Sequence, residues 1–67
     1  MPGVYRLTRL GRHTADSIQK IDTRPEAIMS YIKENGEVTL EEIEYHIKIP
    51  AKTIMDHLVA RRQVEEV

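Results

Sequence analysis

Three arginines near the N-terminus, Arg6, Arg9 and Arg12, recur at every third position. Arginine side chains on a strand or an arm suit phosphate groups and narrow minor grooves of DNA. The spacing therefore indicates contact with a polyanion. A solvated strand edge, where charge discourages aggregation, is the alternative interpretation, and the residues themselves leave both open.

The side chains that could catalyse a reaction or bind a metal are poorly arranged for it. The chain has three histidines, His13, His46 and His57, and no cysteine. The carboxylates of Glu41 and Glu42, like those of Glu65 and Glu66, are adjacent in sequence and so point apart on a helix or a strand. There is no glycine-rich phosphate loop, and so short a chain rarely encloses a pocket of a few hundred Å³. We therefore predict no enzymatic activity, no metal site and no cofactor.

Length and composition indicate one small intracellular domain. The 67 residues include no Cys, Trp or Phe, so Ile, Leu, Val and Met must form a marginal core, which oligomerisation often supports. No apolar run approaches the ~20 residues that span a bilayer, and no signal peptide is visible, so we expect a cytoplasmic location and no membrane partner. The net charge is −1, but residues 1–24 are basic and residues 25–50 are acidic.

Residues 39–64 predict two short helices joined by a tight turn. Thr39 and Glu42 have the spacing of a capping box, and Leu40, Ile43 and Ile47 follow at helical period. Pro50 must end this helix near residue 47 or 48, and it is well placed in the first turn of the next helix. That second helix, 51–62, carries Ile54 and Leu58 on one face. This is a helix-turn-helix layout.

The preceding residues predict a strand, a linker and a further helix. Residues 4–8 alternate polar and apolar side chains and favour a strand, after which Gly11 breaks the pattern. We expect residues 13–21 to be a linker with partial helix, capped by Thr14. A helix then starts at Thr23-Arg24-Pro25-Glu26 and ends at Asn35-Gly36, with Val38 in a very short strand. The C-terminal residues 64–67 alternate as a last strand.

These elements, RPEAIMSYIKENG, EV, TLEEIEYHI, PAKTIMDHLVARR and QVEEV, together resemble the winged helix-turn-helix family. The resemblance covers residues 24–67 and implies a mainly α fold with a small β-sheet and three helices. The chain departs from the family where a second wing strand should follow residue 67. The N-terminal run YRLTRLGR resembles that strand, so we expect the wing to be closed by the N-terminal strand, within one chain or between two. The expected organisation is an arm and linker, 1–22, and a winged helix-turn-helix domain, 23–67.

The resemblance also implies which side chains meet DNA. The second helix of the motif enters the major groove, so its outward face would present Lys52, Thr53, Asp56 and His57, with Arg61 and Arg62 at its end. Lysine and threonine reach phosphate or base edges, whereas Asp56 repels phosphate or accepts from cytosine. The alternative is that these are ordinary solvated residues, with Arg61 and Arg62 facing the helix dipole.

Two functions remain open from the sequence. The first is a small double-stranded-DNA-binding protein, a transcription regulator or an architectural factor, working as a homodimer through the N-terminal strand, with Arg6, Arg9 and Arg12 supplying much of the charge. The second is a winged-helix protein-interaction module, or a fragment of a larger nucleic-acid-processing protein. The acidic first helix of the motif and Asp56 favour the second function.

Overall fold

The protein folds into four helices and a three-stranded antiparallel sheet within residues 3–67, which are the residues that the computed structural model describes. The elements in chain order are β1 (Val4–Leu7), α1 (Arg9–Asp16), α2 (Arg24–Asn35), β2 (Glu37–Thr39), α3 (Leu40–Ile47), α4 (Lys52–Ala60) and β3 (Val64–Glu66). The predicted mainly α fold with a small sheet is therefore confirmed. The first two residues of the predicted arm lie outside the described range.

The N-terminal strand is the central strand of the sheet. The strand order is β2-β1-β3, with Arg6 opposite Glu37 on one side and opposite Glu65 on the other. Pairing with the C-terminal strand thus occurs within one chain. Because both edges of β1 are occupied, a homodimer that pairs through this strand would require the strand to be exchanged between chains.

Side chains from the whole described chain fill one core. β1 contributes Tyr5 and Leu7, which alternate with the exposed Arg6 as expected for a strand with one buried face. The largest fully buried side chains are Ile28, Ile32, Ile43, Met55, Leu58, Val38 and Val64. The N-terminal segment is consequently packed into the same core as residues 23–67.

A regular helix replaces the predicted linker after β1. α1 begins at Arg9, with Thr8 as its N-cap, and the Thr8 side chain accepts a hydrogen bond from the backbone of Gly11 at 3.0 Å. The prediction of a linker with a partial helix capped by Thr14 was wrong, whereas the strand does end before Gly11, as predicted. Gly11 lies inside α1 and is buried, because its missing side chain lets the helix approach the backbone of Gln63.

The start and end signals of α2 and α3 are confirmed. Thr23 with Glu26, and Thr39 with Glu42, both form reciprocal capping boxes. Gly36 ends α2 with a φ of +86°, a conformation that glycine adopts without the cost of a Cβ. Both helices thus start where local sequence chemistry predicted.

The start and the buried face of α4 differ from the prediction. Pro50 precedes the helix, because Ala51 is the N-cap and α4 begins at Lys52. Its buried face is formed by Ala51, Met55 and Leu58, and Ile54 is only half-buried. No helix among residues 3–67 combines the length and apolar character needed to cross a membrane.

Candidate nucleic-acid interface

α4 exposes one continuous side that no other element covers. Lys52, Thr53, Asp56 and His57 are all exposed and form the outward face, opposite the buried Met55 and Leu58. Positions 52 and 56, like positions 53 and 57, are one helical turn apart, so the four side chains share one surface. The predicted face therefore exists as a surface.

The charges on the outward face cancel each other. The Lys52 ammonium lies 2.9 Å from the Asp56 carboxylate, in an i,i+4 pair whose members are both largely exposed. This hydrogen bond and the negative charge of Asp56 raise the pKa of Lys52, and the nearby Tyr5 and Glu66 add to the rise. The lysine predicted to contact phosphate thus already has an anionic partner on its own helix.

The turn between α3 and α4 is fixed by backbone hydrogen bonds and one carboxylate. Lys48 ends α3 in the left-handed conformation, with a φ of 64°, and its N–H donates to the Glu44 carbonyl at 2.8 Å. This is the αL C-capping motif, which has a single hydrogen bond and usually carries glycine at the left-handed position. The Glu44 side chain accepts a hydrogen bond from the Ala51 N–H at 2.8 Å. Glu44 therefore holds the start of α4 in place across the turn, a role that its sequence position alone did not indicate.

Arg61 and Arg62, which were predicted to lie within the helix, follow the end of α4 at Ala60 and face solvent. The N–H of Gln63 donates to the Leu58 carbonyl at 3.0 Å, and the N–H of Arg62 donates to the Val59 carbonyl at 2.9 Å. These two bonds, with Arg62 at a φ of 61°, form a Schellman motif. Both arginines are exposed, and the structure gives neither an ion-pair partner among residues 3–67.

A cluster of hydrogen bonds joins the start of α1 to the end of α4, and we name it the Thr8–Gln63 junction. The Thr8 N–H donates to the Gln63 carbonyl at 3.1 Å, and the Thr8 hydroxyl donates to the Arg62 carbonyl. The junction brings Arg9, which is exposed and follows Thr8 directly, to the end of the molecule that carries Arg61 and Arg62. The side-chain oxygen of Gln63 is buried there without a hydrogen-bond partner.

Arg6 and Arg12 take part in a different surface, which we name the arginine cleft. It has a volume of about 310 Å³ and lies where β1, α1 and the end of α2 meet; its lining includes Arg6, Arg12, Lys33, Leu7, Ile32 and Glu37. The cleft reaches β2, on one side of β1. α4 packs against β3, on the other side of β1. The expected series of three arginines on one wing is therefore wrong, because Arg6 lies on a strand whereas Arg9 and Arg12 lie on a helix.

The elements before and after α4 in the chain, α3 and β3, carry acidic side chains. On α3, Glu41 and Glu42 are exposed, and on β3, Glu65 lies 3.6 Å from Arg6. Tyr45 on α3 is 81% exposed, with the Lys48 ammonium 5.2 Å from its ring centroid. It faces solvent because Ile43 and the half-buried Leu40 and Ile47 occupy the other side of α3.

The two methionines of the core and Tyr31 are buried or half-buried. Met29 and Met55 are core side chains, and the half-buried Tyr31 stacks on His46 with ring centroids 4.3 Å apart. Within residues 3–67, no three histidine or acidic side chains come together as a set that could hold a metal ion.

No family model, no curated protein and no solved structure matches this chain.

Proposed function

We propose that the chain is a winged helix-turn-helix domain that binds double-stranded DNA, with α4 entering the major groove. In this proposal β1 occupies the place of the wing-closing strand, which is supported by its central position between β2 and β3. The α3–turn–α4 unit, with the turn held by Glu44 and Ala51, supplies the helix pair.

One observation carries the proposal: the uncovered face of α4 ends at a concentration of arginines. Arg61 and Arg62 lie at the end of the helix, and the Thr8–Gln63 junction brings Arg9 to the same end. Phosphate contacts from such side chains orient a helix on the duplex, while the side chains of the helix read base edges. On this face, Thr53 and His57 are exposed, have no charged partner and do not cap a helix.

The Lys52–Asp56 pair makes affinity low and provides the test. Asp56→Asn frees Lys52 and removes one negative charge that would lie near the DNA backbone. At a separation of about 7 Å, that charge costs about 0.6 kcal/mol in water and about 2.4 kcal/mol at an effective dielectric constant of ~20. We therefore expect Asp56→Asn to tighten binding roughly 3- to 60-fold.

Fluorescence anisotropy with a mixed-sequence duplex measures the effect. Contacts from Lys52 and three arginines predict that log K falls with log salt at a slope of about −3.6. The matched control is Asp22→Asn, which makes the same change of charge at an exposed site outside α4. Equal effects of the two substitutions, or no binding by the wild-type protein and Asp56→Asn at low salt, would contradict the proposal.

A protein-interaction module is the second candidate, and exposed Tyr45 favours it. A tyrosine that is 81% exposed beside Glu41 and Glu42 on α3 has the composition of a binding surface with an aromatic anchor. Charge reversal at Glu41 tests this surface, whereas reversal at Glu44 would also release the Ala51 N–H. If Glu41→Lys instead strengthens duplex binding and no protein partner depends on Tyr45, the second candidate is excluded.

A further inference from the structure

We propose that the arginine cleft is a binding site for a small phosphate monoester, separate from the DNA-binding face on α4. Three elements supply its cations: Arg6 comes from β1, Arg12 from α1 and Lys33 from α2. A bound anion would be attracted by all three positive charges.

The cleft has the shape and composition for a small organic anion. Its volume of about 310 Å³ lies at the lower end of the range for small-molecule sites. Part of its accessible lining is apolar, although Leu7 and Ile32 beneath it are almost fully buried, while Glu37 offers a carboxylate that accepts hydrogen bonds. Cations for a phosphate, an apolar surface for a carbon skeleton and an acceptor for a hydroxyl are the parts that a phosphate monoester requires.

The existing ion pairs of these cations are easily exchanged. Lys33 lies 2.7 Å from Asp16, and Arg6 lies 3.6 Å from Glu65, but all four side chains are 43–57% exposed. Exposed pairs of this kind contribute little to stability, so a dianion can replace them at low cost. Arg12 has no ion-pair partner among residues 3–67, and it is free to bind phosphate with two parallel hydrogen bonds.

A second depression shares Leu7 and Arg12 with the cleft and adds Arg9 to the cationic surface. This depression has a volume of about 330 Å³ and is lined by Leu7, Thr8, Arg9 and Arg12. Arg12 thus lies between the two concave surfaces and can reach an anion in either of them. We identify it as the residue on which binding depends most.

The position of the cleft distinguishes this ligand from DNA. The cleft lies at the β2 side of β1, whereas α4 packs against β3 at the other side. A concave site lined from three elements suits a small molecule, whereas a duplex needs a broad surface. The inference does not depend on the proposed DNA binding, because Arg6, Arg12 and Lys33 are not among the side chains assigned to DNA, and Arg9, which is, lines only the second depression.

Titration of the ¹⁵N-labelled protein with glycerol 3-phosphate, followed by NMR, tests the site. We expect saturable shifts confined to the amides around Arg6, Arg12, Lys33 and Gly36, which also lines the cleft, and no such shifts with glycerol. Arg12→Gln should weaken binding roughly tenfold or more, the effect of losing hydrogen bonds to a charged group. Arg24→Gln, at an exposed arginine at the start of α2, is the matched control and should leave binding unchanged.

Three results would overturn the inference. The first is a set of shifts that rises without saturation and includes Lys20 and Arg24, which indicates screening of surface charge. The second is inorganic phosphate binding as tightly as glycerol 3-phosphate, since the apolar lining would then contribute nothing. The third is a duplex that shifts the cleft amides as strongly as the monoester, which would make the cleft part of the DNA interface. A duplex that fails to bind at all contradicts only the function proposed for α4.

Discussion

Substitution of Gly11 by alanine has two opposing effects on stability: a gain in helix propensity and a steric clash in the tertiary structure. Within a helix, alanine is favoured over glycine by about 1 kcal/mol, so the local structure of α1 predicts that Gly11→Ala is stabilising. In the folded protein, however, a Cβ at this position would lie 1.7 Å from the carbonyl oxygen of Gln63 and 2.7 Å from its carbonyl carbon. Both are backbone atoms, so no side-chain rotation can relieve the overlap.

The displacement required sets the size of the expected effect. The Cβ would be roughly 2 Å closer to the oxygen than the ~3.5 Å of a favourable contact. Moving α1 away breaks the hydrogen bonds from Thr8 to Gln63 and Arg62, each worth about 1 kcal/mol, and adds about 1–3 kcal/mol of overpacking. After the helix gain is subtracted, we expect a loss of about 2–4 kcal/mol. A domain of this length has only about 3–10 kcal/mol of stability.

Thermal unfolding followed by circular dichroism measures this loss. A change of this size should lower the Tm by about 8–30 °C. His13→Ala, at an exposed site on the same helix, is the control for helix propensity and should change stability by less than about 0.5 kcal/mol. A Gly11→Ala variant with an unchanged or raised Tm would refute the close approach of α1 to Gln63.

Three further outcomes follow from the caps and ion pairs. Lys48→Gly should raise stability by about 0.5–1 kcal/mol in urea unfolding, because glycine adopts the left-handed conformation without steric cost; a loss would show that the contact of Lys48 with Tyr45 contributes more than the strain. Thr39→Ala should cost about 1 kcal/mol, while Thr39→Ser, which keeps the capping oxygen, should cost much less. The hydrogen bond from Lys33 and its positive charge lower the pKa of the Asp16 carboxyl below its ordinary value of 3.8. The ionised carboxylate therefore stabilises the folded protein above pH 3.8, and this stability is lost as the pH falls through the lowered pKa of the folded state. Lys33→Gln should return the pKa of the Asp16 carboxyl towards its ordinary value in a ¹³C NMR titration, and an unchanged pKa would contradict the pairing.

The helix boundaries could be predicted where the chemistry is local. The Thr23–Glu26 and Thr39–Glu42 boxes use side chains three residues apart, so their structure needs no distant partner. α1 was not predicted because glycine disfavours helix. The close packing of Gly11 against Gln63 offsets this cost, and Gln63 is 52 positions away. Close approach between two backbones leaves no periodic pattern in the sequence.

The candidate site could be predicted only in part. The outward face of α4 follows from helical period. The Lys52–Asp56 pair was not predicted, although opposite charges four residues apart on a helix favour it. The arginine cleft was not predictable, because Lys33 joins Arg6 and Arg12 only through the packing of α1 and α2. The regular spacing of the arginines predicted one shared surface. This prediction failed because a strand ends and a helix begins between Arg6 and Arg9.

The central position of β1 has a kinetic consequence. Arg6 pairs with Glu65 although 59 positions separate them, so closing the sheet requires a loop of nearly the whole described chain. During synthesis, β1 is made first but receives its second partner only when β3 emerges. Until then one edge of β1 has unsatisfied backbone groups that can pair with another chain. We therefore expect the last step of folding to be slow for so small a domain. We also expect the soluble yield to depend more on the expression temperature than on the stability of the native state.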